Sequence, residues 1–431
     1  MQFQYLRADD FDRAWLNFEL DLPLDPCPDG KPNPFYVERP GNVVGQLEES
    51  LLAPFYQAPK FFFSGHRGCG KSTEMRRLAV NPEILKRYYP IHFTIRDEAD
   101  VNNLDFKDIL LALGGRLYRE YTSRGKQLSP NLEKALTQWR GSIEEEIVHS
   151  SRFRGLEVEG GLFGFFAQAG LKMKLEPATR KTIRQVIERD ITGLIDVIDN
   201  IAAAIQEQEQ RMPLLLIDDL DKPDLKTAQD IFYAHRETML QPHCAIVYTV
   251  SSPLFYSPEF EAIRDRAIFL PNIKLHARGQ TRAERSGYKT MRDFVGKRMD
   301  LALIGPQALK HAIQISGGVF RELSRVMRFA LRNGRKNGKI LLEHVRLAEA
   351  EIRGEYRRIL SGEQRTTLQK VHATNSYDEP EKIAPLLQIL AALEYADDEP
   401  WCDVHPALIP LLQENGHVAN ETENALAQND A

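Results

Sequence analysis

Residues 65–72 read Gly-His-Arg-Gly-Cys-Gly-Lys-Ser and match the pattern Gly-x-x-x-x-Gly-Lys-[Ser/Thr] at each defined position. The chemistry of that spacing is anion binding. Successive backbone N–H groups curl around a phosphate, with Cys69 inside the curl. Gly65, Gly68 and Gly70 permit the curl where a side chain would collide. A helix starting at the loop turns its N-terminal dipole toward the anion. Lys71 supplies a mobile positive charge to the outer phosphates, Ser72 a hydroxyl suited to Mg²⁺, and Thr73 continues the cofactor-binding run. The expected ligand is ATP with Mg²⁺.

A second constellation lies far downstream. Residues 214–219 read Leu-Leu-Leu-Ile-Asp-Asp, a buried strand ending in two acids. Asp218 is expected to hold Mg²⁺ and Asp219 to orient or deprotonate an attacking water. The following strand ends at Thr249-Val250-Ser251-Ser252, where a polar residue can sense the terminal phosphate; Ser252 is the residue chosen. His66 and Cys69 also permit a catalytic Cys–His pair, but the phosphate loop already accounts for their surroundings.

The elements around these motifs predict an α/β fold. Residues 60–64, 91–95, 214–217 and 245–250 are short apolar runs alternating with helical patterns, which argues for a doubly wound parallel sheet covered on both faces. Residues 1–40 read as an N-terminal arm with a helix around Phe11 and Trp15 and a Pro-rich stretch. The core is expected over 41–275. Helices are predicted near 105–124 and 130–148. Residues 154–176 read as an inserted hairpin, an acidic strand facing a basic one across a Phe-rich tip at 162–166. Ile183, Ile187, Ile191, Leu194, Ile198, Ile201 and Ile205 keep one face apolar and predict one long helix. Residues 276–360 are all helical and read as a lid. Residues 361–415 look like a small winged-helix module whose hairpin turns at Asp397-Asp398-Glu399-Pro400. Residues 416–431 read as a disordered tail.

Composition bounds the partners. A net charge of −5 leaves any nucleic-acid contact to a local patch. The four cysteines form no Cys-x-x-Cys pair, which fits a reducing cytoplasm rather than a zinc site or disulfide framework. No apolar run of about 18 residues predicts a membrane span, and the first residues do not read as a secretory signal. Arg321, Arg325, Arg328 and Arg332 share one helix face, followed by Arg335, Lys336 and Lys339. This face suits DNA phosphates, an acidic partner or plain solvent.

In this order the motifs resemble the AAA+ and STAND branch of P-loop ATPases, near the origin-recognition type. The likeness spans roughly residues 36–410. Gly318-Val319-Phe320-Arg321 matches the early lid-helix pattern in which an arginine reaches the γ-phosphate, so the resemblance implies that role for Arg321. It places Tyr36-Val37-Glu38-Arg39 in the adenine-binding segment and Arg39 among the cofactor contacts, although the Gly-Arg-Glu of many STAND proteins is absent. It implies an arginine finger from a neighbouring subunit, for which Arg264 or Arg266 is placed. The implied function is an ATP-hydrolysing switch that couples nucleotide state to homo-oligomerisation and recruitment of a separate effector, in a setting such as bacterial antiphage defence. The alternatives are an ATP-dependent DNA-binding loader or remodeller, and a nucleotide-binding scaffold with little turnover.

Overall fold

The computed structural model describes residues 3–27, 29–41, 43–123, 134, 137, 177–280 and 283–413. The inserted hairpin at 154–176, its Phe-rich tip, the helix expected at 130–148 and the tail at 416–431 lie outside the described residues.

Five strands form one parallel sheet: β1 Lys60–Gly65, β2 Tyr88–Thr94, β3 Met212–Asp218, β4 Ala245–Ser251 and β5 Ala267–Leu270. Their order is β2-β3-β4-β1-β5. The strand ending in Asp218 is therefore not the neighbour of the strand feeding the phosphate loop; β4 lies between them. Gly65 pairs with Ser251 across β1 and β4, and Thr94 with Asp218 across β2 and β3. One edge of the sheet thus collects the carboxyl ends of all five strands, where ligands of open α/β sheets are received. The sequence reading passed over β5. It is a four-residue edge strand, only partly buried over most of its length, and gives too short an apolar run to register.

The strand residues alternate between two cores, as pleating requires. Phe62, Ile91, Phe93, Leu215, Ile217 and Tyr248 pack on one face. Phe63, Tyr88, Leu214, Leu216 and Val247 pack on the other.

The labelled helices are α1 Phe11–Asn17, α2 Val43–Leu52, α3 Lys71–Ala79, α4 Pro82–Arg87, α5 Phe106–Thr122, α6 Pro177–Arg189 and α7 Ile191–Glu209, then α8 Arg285–Arg298, α9 Pro306–Ile315, α10 Phe320–Gly334, α11 Leu342–Ile359, α12 Gly362–Thr374 and α13 Pro380–Gln388. Helices α5 to α7 cover the first face and α2 to α4 the second. The single long helix expected over 183–205 is two helices, α6 and α7. Asp190 breaks it by capping α7, its carboxylate accepting from the Gly193 N–H at 3.1 Å. The apolar spacing continues in phase across the break, so periodicity alone could not reveal it.

Helices α8 to α11 build the lid around Met291, Val295, Leu323, Met327 and Val345. The segment read as an arm packs on this lid. Ala14 and Phe18 enter its core, and the Asn17 amide donates to the Arg298 carbonyl at 2.6 Å. After α12 and α13, strands β6 Ala392–Ala396 and β7 Pro400–Val404 form an antiparallel hairpin. Helix α13, just ahead of the hairpin, packs on the turn Ser252–Tyr256 that leaves β4.

Candidate nucleotide site

The loop turns sharply out of β1 because Gly68 and Gly70 adopt φ of 84° and 112°, a region open to glycine. Gly68 also admits the lid. A Cβ there would lie 2.2 Å from the Arg321 Cβ, and the Arg321 N–H donates to the Gly68 carbonyl at 3.2 Å. No side chain caps α3, so its first-turn N–H groups face the loop's concavity. Cys69 is buried beneath the loop, whereas Gly70, Ser72 and Thr73 border a cavity of about 280 Å³.

Lys71 lies at the cavity wall but is held inward. Its ammonium donates to the Gly65 and His66 carbonyls and pairs with Asp221 at 2.7 Å, both partners being buried. Burial opposes the charge, yet Asp221, Cys69 and Asp218 outweigh it and hold the Lys71 pKa above the ordinary lysine value.

Asp218 is 3% exposed. Burial alone would raise its pKa, but the His92 imidazole 3.9 Å away and the neighbouring Ser72 hydroxyl favour the carboxylate and hold it at about 2. Asp219 has φ of 67°, a left-handed conformation that Asp tolerates better than most residues. This turns its carboxylate out of the strand direction. The Thr94 hydroxyl donates to it at 2.8 Å, and Arg96 and Lys222 stand 3.4 Å away.

The placement of Ser72 and Asp218 on one cavity wall tests whether Mg²⁺ fits. Among the described residues no cluster of three or more His, Cys, Asp or Glu forms a protein-only cage. A hydroxyl and an ionised carboxylate that line one cavity beside a phosphate loop are the donor set of an ion that keeps water and phosphate oxygens as its other ligands. The residues fit.

Arg321 reaches the cavity and is paired there with Asp21 at 2.7 Å. Arg39 also borders the cavity, but its guanidinium donates to the Cys69 carbonyl at 2.5 Å and to that of Pro271. It braces the loop from the side, over the Phe320 ring. Tyr36 and Val37 line the cavity.

Ser252 begins the turn after β4 and borders a separate small cavity with Gly65, Arg67 and Asp221. Ser251 borders it too, and its buried hydroxyl has no hydrogen-bond partner. Thr249 links β4 to β3, donating to the Ile217 carbonyl at 3.0 Å and accepting from the Leu220 N–H at 3.1 Å. His66 and Cys69 form no catalytic pair. The His66 Nε2 accepts from the Glu394 N–H of β6 at 2.7 Å, and burial, with Lys71 nearby, drops the ring to about 3. Arg264 and Arg266 lie on the exposed turn before β5, away from the cavity, with Arg264 paired to Glu261 at 2.8 Å.

Sequence reading missed Asp221, Lys222, Thr94, Arg96 and Asp21. A local signal existed for two of them, since Asp221-Lys222 directly follows the acid pair. Thr94 and Arg96 were findable only from the adjacency of β2 and β3. The basic face of α10 is paired within the chain. Arg321 meets Asp21, Arg325 meets Glu355, Arg328 meets Glu19 and Arg332 meets Glu351, and just past the helix Arg335 meets Asp12. No described helix is long and apolar enough to cross a membrane.

No protein-family model matches the chain, and no curated protein matches it in sequence. Solved structures align over most of its length. Cdc6p from Pyrobaculum aerophilum matches at 12% identity and a TM-score of 0.40, covering 89% of this chain and 98% of that one. The ORC1 protein of Aeropyrum pernix, solved in complex with DNA, matches at 14% and 0.39, covering 90% and 95%. The RuvB Holliday junction branch migration motor of Thermotoga maritima matches at 11% and 0.34, covering 87% and 95%. The fold class stands on the chain's own geometry: five parallel strands in the order given, a phosphate loop leaving β1, an acid pair closing β3 and a helical lid bonded to the loop make an α/β P-loop nucleoside-triphosphatase fold.

Proposed function

We propose that this chain binds MgATP between core and lid and hydrolyses it, as a molecular switch that couples nucleotide state to oligomerisation and recruitment of a partner. The observation that carries the reading is the convergence of Lys71, Ser72, Asp218 and Asp219 on one cavity at the carboxyl edge of the sheet, with the lid hydrogen-bonded to the same loop through Arg321 and Gly68.

Ser72 and Asp218 are the residues that would hold Mg²⁺, which when bound neutralises charge on the outer phosphates. The loop N–H groups and Lys71 bind the phosphates, and Lys71 exchanges Asp221 for them as the nucleotide enters. Asp219, fixed by Thr94, Arg96 and Lys222, orients a water and takes its proton. Arg321 and Lys71 stabilise the charge that develops on the phosphate. Ser251, in preference to Ser252, senses the terminal phosphate, because its buried hydroxyl lacks a partner. Arg39 keeps the loop in shape rather than reading the base. Because the lid touches the loop directly, a change at the phosphates moves α10, as a ligand-coupled switch requires. The setting in bacterial defence has only the resemblance behind it. The DNA-loader reading has no support from the α10 arginines, which acids of the same chain already occupy.

Asp219→Asn keeps nucleotide binding and lowers turnover by about 100-fold or more. Lys71→Ala loses binding. Steady-state phosphate release and nucleotide titration on the two variants check this, and unchanged turnover in Asp219→Asn would remove Asp219 from the mechanism.

A further inference from the structure

Asp21 lies in the segment 19–24, which lines the same cavity as Gly68, Gly70 and Lys71. Its carboxylate accepts from the Arg321 guanidinium at 2.7 Å. Partial burial works against its ionisation, but Arg321, Lys222 and Arg96 outweigh it and hold the Asp21 pKa below the ordinary aspartate value. Lys222 and Arg96 are the two cations that flank Asp219. The chain thus delivers its own anion to the place where the positive charges of the site converge.

The segment bearing this anion is tethered to the lid on its upstream side, while downstream of it Asp25 pairs with Arg76 of α3 at 3.0 Å. Just upstream, Glu19 pairs with Arg328, whose guanidinium lies 4.2 Å from the Trp15 ring centroid, and Asp12 pairs with Arg335 at 2.6 Å. The Asp21 side chain is 67% exposed, so its ion pair is of the weak kind that a competing dianion can displace.

We propose that Asp21 sets the discrimination between tri- and diphosphate: it holds Arg321 when no terminal phosphate is bound, and yields it, with segment 19–24, when one is. This rests on the reading of the cavity as an ATP site. A diphosphate seated on residues 65–72 leaves the Asp21–Arg321 pair intact. A triphosphate brings a further negative group toward Arg321 and faces the Asp21 carboxylate. Arg321 can meet that group only once its pair with Asp21 is broken, a penalty that falls on the triphosphate alone. The displaced segment then reports the terminal phosphate to the acidic contacts along α10.

The test is calorimetric titration of the full chain with MgADP and with a magnesium-loaded, non-hydrolysable ATP analogue, for wild type, Asp21→Asn, Arg321→Ala and the double variant. Asp21→Asn is expected to bind the triphosphate analogue about 5-fold more tightly, with diphosphate affinity held within about 2-fold. In the Arg321→Ala background the Asp21 substitution is expected to have no effect on either ligand. Hydrogen exchange in residues 19–24 is expected to quicken with the triphosphate analogue and not with ADP. Equal shifts for both nucleotides, no shift, or a full Asp21 effect without Arg321 would overturn the inference. Failure of the wild type to bind either nucleotide would overturn the ATP reading itself and this inference with it, and would show before any substitution is compared.

Discussion

Lys71 and Asp221 are 4% and 8% exposed, and each is the other's main charge partner. Removing one partner of a buried pair strands the other in a poor dielectric, which costs more than the pair itself contributes. Asp221→Ala is expected to destabilise the nucleotide-free chain by about 2–4 kcal/mol, the lower end applying because Lys71 keeps two carbonyl acceptors. Saturating MgATP gives Lys71 new anionic partners, so it is expected to recover much of that loss. Thermal unfolding with and without nucleotide measures both effects, and an unchanged melting temperature would show that Asp221 does not hold Lys71. The acid pair Asp218-Asp219 was legible from type and spacing, since a strand ending in acids needs no partner to be noticed. Asp221 was as close in sequence, but only its contact with Lys71 assigns it a task.

Among the elements, the β6–β7 hairpin is bound to the phosphate loop. The Glu394 N–H donates to His66, the Tyr395 hydroxyl donates to the Gly317 carbonyl at 2.7 Å, and Asn272 donates to the Glu394 carbonyl at 3.1 Å. The Glu394 side chain is buried, and burial lifts its pKa from 4.5 to about 8 against a smaller opposing hydrogen bond from Tyr256. Between those values the folded chain binds more protons here than the unfolded one, so stability is lost as pH rises. The contribution is fully present below pH 4.5 and gone above about 8. Glu394→Gln is expected to flatten this slope and to be more stable than wild type at pH 8.5 by about 3–5 kcal/mol. Melting curves of both proteins across this range check it; parallel curves would mean that Glu394 does not titrate there. Hairpin and helices were legible from turn residues and periodicity. Their docking on the loop was not, because His66 sits 328 positions from Glu394.

For the whole molecule, lid, N-terminal segment and C-terminal hairpin close around one loop, and the exposed turn with Arg264 and Arg266 lies outside that closure. An arginine acting from a neighbouring subunit has to be exposed in this way, since it serves another copy's site. If either residue is such a finger, turnover per chain rises with protein concentration over the range in which mass rises. Arg264→Ala or Arg266→Ala then lowers turnover by about 1000-fold without changing nucleotide affinity. Mixing that variant with Asp219→Asn is expected to restore activity in mixed assemblies. Turnover that stays constant while mass changes would exclude a finger.

The sequence by itself determined the phosphate loop, the acid pair, the alternation that makes a parallel α/β core and the helical character of the lid. Each is a local pattern, in which a few neighbouring residues contain both the chemistry and the element that carries it. Only the tertiary structure decided that β4 separates the two motifs, that Thr94 and Arg96 fix Asp219, that the acids of the N-terminal segment occupy the lid's arginines, and that His66 is a strut rather than a catalyst. Those outcomes depend on which surfaces meet after long separations in the chain. A pairing between distant charges leaves no periodicity in either partner, so composition shows the charges and only the fold shows which of them remain free.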